Sequence, residues 1–131
     1  MHHVLAEESS IRVLIADDDA GFLASLEQLI DRQPELQVIG AAANGLEAIE
    51  LAEQLAPDAV VLDLHMPLLD GVTAAARLRR DHPSLCLIAL TGDDAPALHR
   101  AVREAGADEV LLKDELVGGL LDRLGAARER G

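Results

Sequence analysis

Aromatic side chains are almost missing from this 131-residue chain: Phe22 is the only one, with no tyrosine or tryptophan. Stacking of nucleic-acid bases on aromatic platforms is thereby excluded as a main binding mode. Basic residues are scarce as well, 11 against 24 acidic ones, for a formal charge of −13. A domain that grips a phosphate backbone needs the opposite footprint, so no direct nucleic-acid binding is expected. The single cysteine, Cys86, excludes an internal disulfide; within "LCLIAL" it reads as a small buried hydrophobe. A reducing, cytoplasmic setting fits that usage. No apolar run approaches the length of a membrane span. The opening "MHHVLAEESS" lacks a basic segment followed by an apolar one, so it is not a secretory signal, and His2 and His3 are assigned no role.

What is present is globular: half the residues are hydrophobic and 27% are charged, in a length suited to one domain. The expected division is a flexible extension over 1–10, the domain over 11–128 and a tail over 129–131. Five strand-like runs stand out: "IRVLIA" (11–16), "LQVIGAA" (36–42), "DAVVL" (58–62), "LCLIAL" (85–90) and "DEVLL" (108–112). Between them the apolar spacing is helical. Residues 20–33 put Phe22, Leu23, Leu26, Leu29 and Ile30 on one face, and 45–55 do likewise with Leu46, Ile49, Ala52 and Leu55. Asn44, with Glu47 three positions on, has the pattern of a capping box. Further helices are expected over 72–81, 95–105 (with Pro96 near the start) and about 115–128, where Gly118 and Gly119 each weaken the interior by about 1 kcal/mol. Strands that are continuous apolar runs are buried on both faces, as in a parallel sheet covered by helices. The expected fold is α/β, a doubly wound five-stranded parallel sheet of flavodoxin-like order 2-1-3-4-5 with helices on both faces.

In such sheets ligands bind beyond the carboxyl ends of the strands, here in the crevice between strands 1 and 3. Strand 1 runs into Asp17, Asp18 and Asp19, and strand 3 into Asp63. Strand 4 delivers Thr91 and Gly92 to the same edge, and strand 5 delivers Lys113. Crowded carboxylates repel and raise one another's pKa unless neutralised. A hard divalent cation such as Mg²⁺, which takes oxygen ligands and water, is one remedy, and Lys113 is another. An acidic cleft with a metal, one ammonium and one hydroxyl suits a phosphoryl group, and a carboxylate can be the nucleophile that receives it. Taken singly, a strand-end aspartate is a cap or an ion pair as readily as a working group. Thr91 and Lys113 gain interest only from their positions. Asp19 reads as a helix cap, and His82 and His99 as surface residues.

The set in order is "DD" after strand 1, "D" ending strand 3, "MP" and "DG" in the next loop, "T" ending strand 4 and "K" ending strand 5. It resembles the receiver domain of bacterial two-component response regulators, over nearly the whole chain. The resemblance implies that Asp63 is the phosphoacceptor and that a histidine kinase or phosphotransfer protein is the donor. It implies Mg²⁺ or Mn²⁺ held by Asp18, Asp63 and the backbone carbonyl of His65, with Asp17 acting through a water. Thr91, Gly92 and Lys113 would bind the phosphoryl group, with Met66, Pro67, Asp70 and Gly71 shaping the loop, where glycine can supply a positive φ. His65 and Asp93 occupy the two offsets that flank the phosphoryl group and tune its hydrolysis. The implied output is a conformational change passed to a protein partner or output domain, with phosphorylation-dependent pairing of two copies as one option. No catalysis is implied beyond self-phosphorylation and slow autodephosphorylation.

Three departures matter. Val110 stands where the family usually carries an aromatic residue that swings inward, which puts the aromatic part of the switch in question. His65 replaces a smaller polar side chain. Asp114 follows the lysine where many relatives have proline, a feature of receivers joined to transcription factors of the nitrate-response (LuxR) type. Two alternatives remain: a pseudo-receiver that binds partners without phosphorylation, and a phosphohydrolase of the haloacid-dehalogenase type. The latter wants an aspartate where His65 lies. The chain is expected to be either a stand-alone receiver or the receiver of a longer DNA-binding regulator.

Overall fold

The apolar runs form strands and the periodic stretches between them form helices, in strict alternation. In the computed structural model, which describes residues 10–115 and 123–125, the order is β1 (Ile11–Ala16), α1 (Ala20–Asp31), β2 (Leu36–Ala42), α2 (Gly45–Leu55), β3 (Ala59–Asp63), α3 (Gly71–Asp81), β4 (Cys86–Thr91), α4 (Pro96–Ala105) and β5 (Glu109–Leu112). A short 3₁₀ turn, Lys113–Glu115, follows. All neighbouring strands pair in parallel, in the order β2-β1-β3-β4-β5. The expected fold class is therefore the observed one. The expected N-terminal extension, the tail and most of the helix over 115–128 lie outside the described residues; Leu124, within 123–125, is helical and fully buried.

Alternation along the strands builds two apolar layers, one on each face of the sheet. Ile11, Val13, Ile15, Val61, Ile88, Leu90 and Leu111 point to the face covered by α1, through Leu26 and Ile30, and by Leu124. Leu14, Val60, Leu62, Leu87 and Val110 point to the face covered by α2, α3 and α4, through Ala48, Ala52, Ala75, Leu78 and Val102. Each large aliphatic side chain fully buried here contributes about 1.5–3 kcal/mol. Small alanines on α2 and α3 let those helices lie close to the sheet.

The helix starts are fixed by side chains. Asp19 caps α1, accepting from the N–H groups of Gly21 (2.9 Å) and Phe22 (3.1 Å). Asn44 accepts from Glu47 N–H at 2.8 Å, while the Glu47 carboxylate reaches back to Ala43 N–H, one residue beyond a strict capping box. Asp70 caps α3 through both the N–H (2.9 Å) and the hydroxyl (2.7 Å) of Thr73. These bonds hold its carboxyl below the ordinary carboxylate range.

The loop between β3 and α3 departs from expectation. Gly71 does not supply a positive φ; in this loop Leu68 carries it, at 74° and 75% exposed. Gly71 serves close approach instead. A Cβ there would lie 2.5 Å from Leu64 Cα and 2.9 Å from Leu64 O, backbone atoms of a residue buried in the core. The two sites should answer substitution with opposite signs. Gly71→Ala is expected to lower stability by about 1–3 kcal/mol, and Leu68→Gly to raise it by about 0.5–1 kcal/mol, both read from urea unfolding. Equal midpoints for the two variants would contradict this account.

Candidate functional site

Pairing in register sets the site. Ala16 lies beside Leu62, so the next residues, Asp17 and Asp63, emerge together at the carboxyl edge. Asp63 pairs with Leu90, and Thr91 with Leu112, which places Lys113 one step further along the same edge. The strands expected over 58–62 and 85–90 each sit one residue later, so Asp63 and Thr91 are the last rungs of the ladder rather than loop residues. Their backbones are held rigidly for that reason.

Asp17, Asp63 and Thr91 are the buried polar residues among those described, at 1%, 2% and 0% exposure. Each has an identifiable partner. Asp17 accepts from Asp19 N–H at 2.9 Å and from Lys113 Nζ at 2.8 Å. Asp63 Oδ1 accepts from His65 N–H at 3.3 Å and lies 3.6 Å from Lys113 Nζ. Asp18 is exposed at the rim, and carboxylate oxygens of Asp17, Asp18 and Asp63 all lie within 4.8 Å of one another. Burial first, and then the charge of Asp17, push the Asp63 carboxyl above its ordinary range, against the opposing pull of Lys113. For Lys113 burial works against the charge, yet the bond to Asp17 and the charge of Asp63 outweigh it and raise its pKa.

Three carboxylates against one ammonium leave an excess of negative charge in a partly dehydrated cleft. The donor set is all oxygen, with one open rim ligand, which fits a hard divalent cation that keeps some of its water. Lys113 is the only lysine of the chain, and its Nζ lies 4.4 Å from the centroid of Phe22, the only aromatic ring. That cation–π contact gives the ammonium a further partner beside the carboxylates. Thr91 Oγ1 accepts from Asp93 N–H at 3.0 Å and lies 3.2 Å from His65 Nε2, so the hydroxyl is engaged by both residues that flank the cleft.

Of the remaining residues singled out from sequence, Gly92 is exposed at the edge and a Cβ there would meet nothing. Met66 is buried in the core beneath the loop, while Pro67 and Asp70 lie at its surface. His99 is not the plain surface residue expected: half-buried on α4, its Nε2 lies 2.8 Å from Asp93 O. Sequence spacing places Phe22 on the apolar face of α1 and no more. Its contact with a lysine some ninety positions away has no signature in spacing.

The model of the response regulator receiver domain family matches residues 13–124. A protein-glutamate methylesterase/protein-glutamine glutaminase of Shewanella frigidimarina is 37% identical over 106 residues, 79% of this chain and 26% of its own length. The chain thus spans about a quarter of such curated relatives. The response regulator domain of Thermotoga maritima CheB superposes with TM-score 0.85 at 30% identity, covering 92% of this chain and 97% of that one. The receiver domain of NarL from Mycobacterium tuberculosis gives TM-score 0.81 at 30% identity, covering 91% and 97%.

A raised Asp63 pKa means that the folded state binds the proton more tightly than the unfolded chain. The resulting stability is present at low pH and lost as pH rises through the raised value, so at neutral pH the charged Asp63 destabilises the fold. Asp63→Asn is therefore expected to raise stability at pH 7 without metal by on the order of 1 kcal/mol. Added Mg²⁺ should narrow the gap by stabilising the wild type more than the variant. Thermal melts with EDTA and with Mg²⁺ check both; a variant less stable than wild type in EDTA would contradict the reading.

Proposed function

This chain belongs to the response regulator receiver domain family, and from that premise we propose that Asp63 is its phosphoacceptor. The observation that carries the proposal is a carboxylate only 2% exposed at the end of a central strand, with Asp17, Asp18, Lys113 and Thr91 at the same edge. Asp63 attacks the phosphorus of a phosphohistidine on a kinase or phosphotransfer protein. A P–O bond forms as the P–N bond breaks, and the electron pair leaves with the donor imidazole.

Asp17, Asp18, Asp63 and the His65 carbonyl are the proposed environment of Mg²⁺ or Mn²⁺, with Asp17 acting through water. When bound, such a cation offsets the charge of the carboxylates and of the incoming phosphoryl oxygens. Lys113, steered by Asp17 and Phe22, pairs with one phosphoryl oxygen, and the Thr91 hydroxyl turns from its resting partners to donate to another. Gly92 gives Thr91 room to move, and Met66, Pro67, Asp70 and Gly71 set the wall of the cleft. His65 and Asp93 stand at its rim, so they govern how water reaches the phosphoryl group.

The proposed output is a change around Thr91 and α4 that a protein partner or output domain reads, with pairing of two copies as one form. A cytoplasmic setting is proposed, and no described helix is long and apolar enough to cross a membrane. The esterase and glutaminase activities named for the relatives are not carried over to this chain, which spans about a quarter of them. A second reading, a pseudo-receiver working without phosphorylation, draws on Val110 in the place of the usual aromatic.

Intact-mass spectrometry after incubation with acetyl phosphate and Mg²⁺ separates the two readings. One phosphoryl adduct is expected on the wild type and none on Asp63→Asn or with EDTA. A wild type that gains no adduct and fails to bind beryllofluoride sinks the proposal. Substituting His65 or Asp93 is expected to change adduct lifetime more than melting temperature. Equal decay rates in wild type and both variants would count against that role.

A further inference from the structure

The turn between β4 and α4 is fastened at both ends by named atoms. At the strand end, Thr91 Oγ1 accepts from Asp93 N–H at 3.0 Å and meets His65 Nε2 at 3.2 Å. At the helix end, the carbonyl of the same Asp93 lies 2.8 Å from His99 Nε2. A carbonyl can only accept, so this nitrogen of His99 carries the proton and donates. The Asp93 carboxylate bonds Ala95 N–H at 2.9 Å, just before Pro96 opens α4. Ala95, at the cap position of α4, has no side-chain bond of its own to offer. His99 therefore supplies a side-chain tie from the body of α4 back to the turn.

A threonine hydroxyl has one proton and two lone pairs. The Asp93 N–H takes one lone pair and His65 Nε2 lies against the same oxygen, whereas a phosphoryl oxygen needs the hydroxyl proton delivered toward Asp63. When Thr91 turns toward a phosphoryl group on Asp63, the N–H of the exposed Asp93 exchanges its side-chain acceptor for water and the turn is released at its strand end. The carbonyl held by His99 lies in the next peptide unit, joined to that N–H through the Asp93 Cα, so the His99 bond resists a rearrangement of the turn. Val110, on β5 and paired with Ala89, offers no ring that could swing inward instead.

We propose that His99 is a positioning residue for Thr91, acting through Asp93: it holds the β4–α4 turn in its resting form and couples capture of a phosphoryl group to α4. This rests on Asp63 being the phosphoacceptor. His99 opposes the rearranged turn, so its removal eases capture, and capture in turn alters the environment of its Nε2. The coupling does the work that an inward-swinging ring would do, with a hydrogen bond in place of a ring's volume.

The test is an NMR titration of the full chain in Mg²⁺ with beryllofluoride, for wild type, His99→Ala, His99→Gln and Asp63→Asn. In the wild type the His99 Nε2–H signal is expected to move as beryllofluoride saturates. The half-saturating concentration should fall by about 2- to 10-fold in His99→Ala, the scale of one net hydrogen bond. His99→Gln keeps a side-chain N–H donor and should recover most of the wild-type value, which a loss of general stability would not allow. Saturable binding with an unmoved His99 signal, or with His99→Ala matching the wild type, overturns the inference and leaves the phosphoacceptor reading intact. A wild type as silent as Asp63→Asn overturns both.

Discussion

Everything at the functional edge depends on one ion pair, Lys113 with Asp17 at 2.8 Å. It joins the first strand to the last and brings the chain's only lysine ammonium within 3.6 Å of Asp63. Without it, two carboxylates with almost no solvent access would face each other with backbone N–H groups as their main support. A buried pair of this kind is weak evidence of stability, because desolvation consumes most of the attraction. Its value here is positional. Lys113 is held by both acids and by the Phe22 ring, 4.4 Å away, so the charge is in place before any ligand arrives.

The fold makes this tension affordable. Parallel strands covered on both faces give a dry, rigid frame whose carboxyl ends share one edge, and Asp63 and Thr91 remain inside the ladder. A loop residue could relax away from a repulsive neighbour; a residue in the last rung cannot. Burial first, and then the charge of Asp17, accordingly hold the Asp63 carboxyl above its ordinary range. A cation and a phosphoryl group supply between them the charges that this resting arrangement lacks.

Much of this was legible in the sequence, for identifiable reasons. Continuous apolar runs such as "VVL" and "LIAL" mark strands buried on both faces, and five of them alternating with helical periods leave few topologies. Acids, a threonine and a lysine at successive strand ends then fall on one edge. Strand limits were less legible: the ladder takes in Asp63 and Thr91 because pairing depends on the neighbouring strand, not on the hydrophobicity of the residue. Gly71 was read for its torsional freedom, whereas the structure needs its missing side chain and puts the positive φ on Leu68. The contacts of Phe22 with Lys113 and of His99 with Asp93 are not legible in the sequence, because each depends on where a side chain reaches in three dimensions, and no spacing rule records that. The family match accounts for the constellation, and these two contacts are read from the structure alone.

The most direct test of the account is a crystal structure of the chain with Mg²⁺ and beryllofluoride. Beryllium is expected on an Asp63 oxygen, with Lys113 Nζ and Thr91 Oγ1 each on a fluorine, a metal among Asp18, Asp63 and the His65 carbonyl, and Thr91 released from Asp93. A beryllofluoride bound elsewhere, or bound to Asp63 with Thr91 still on His65 and Asp93, would contradict it.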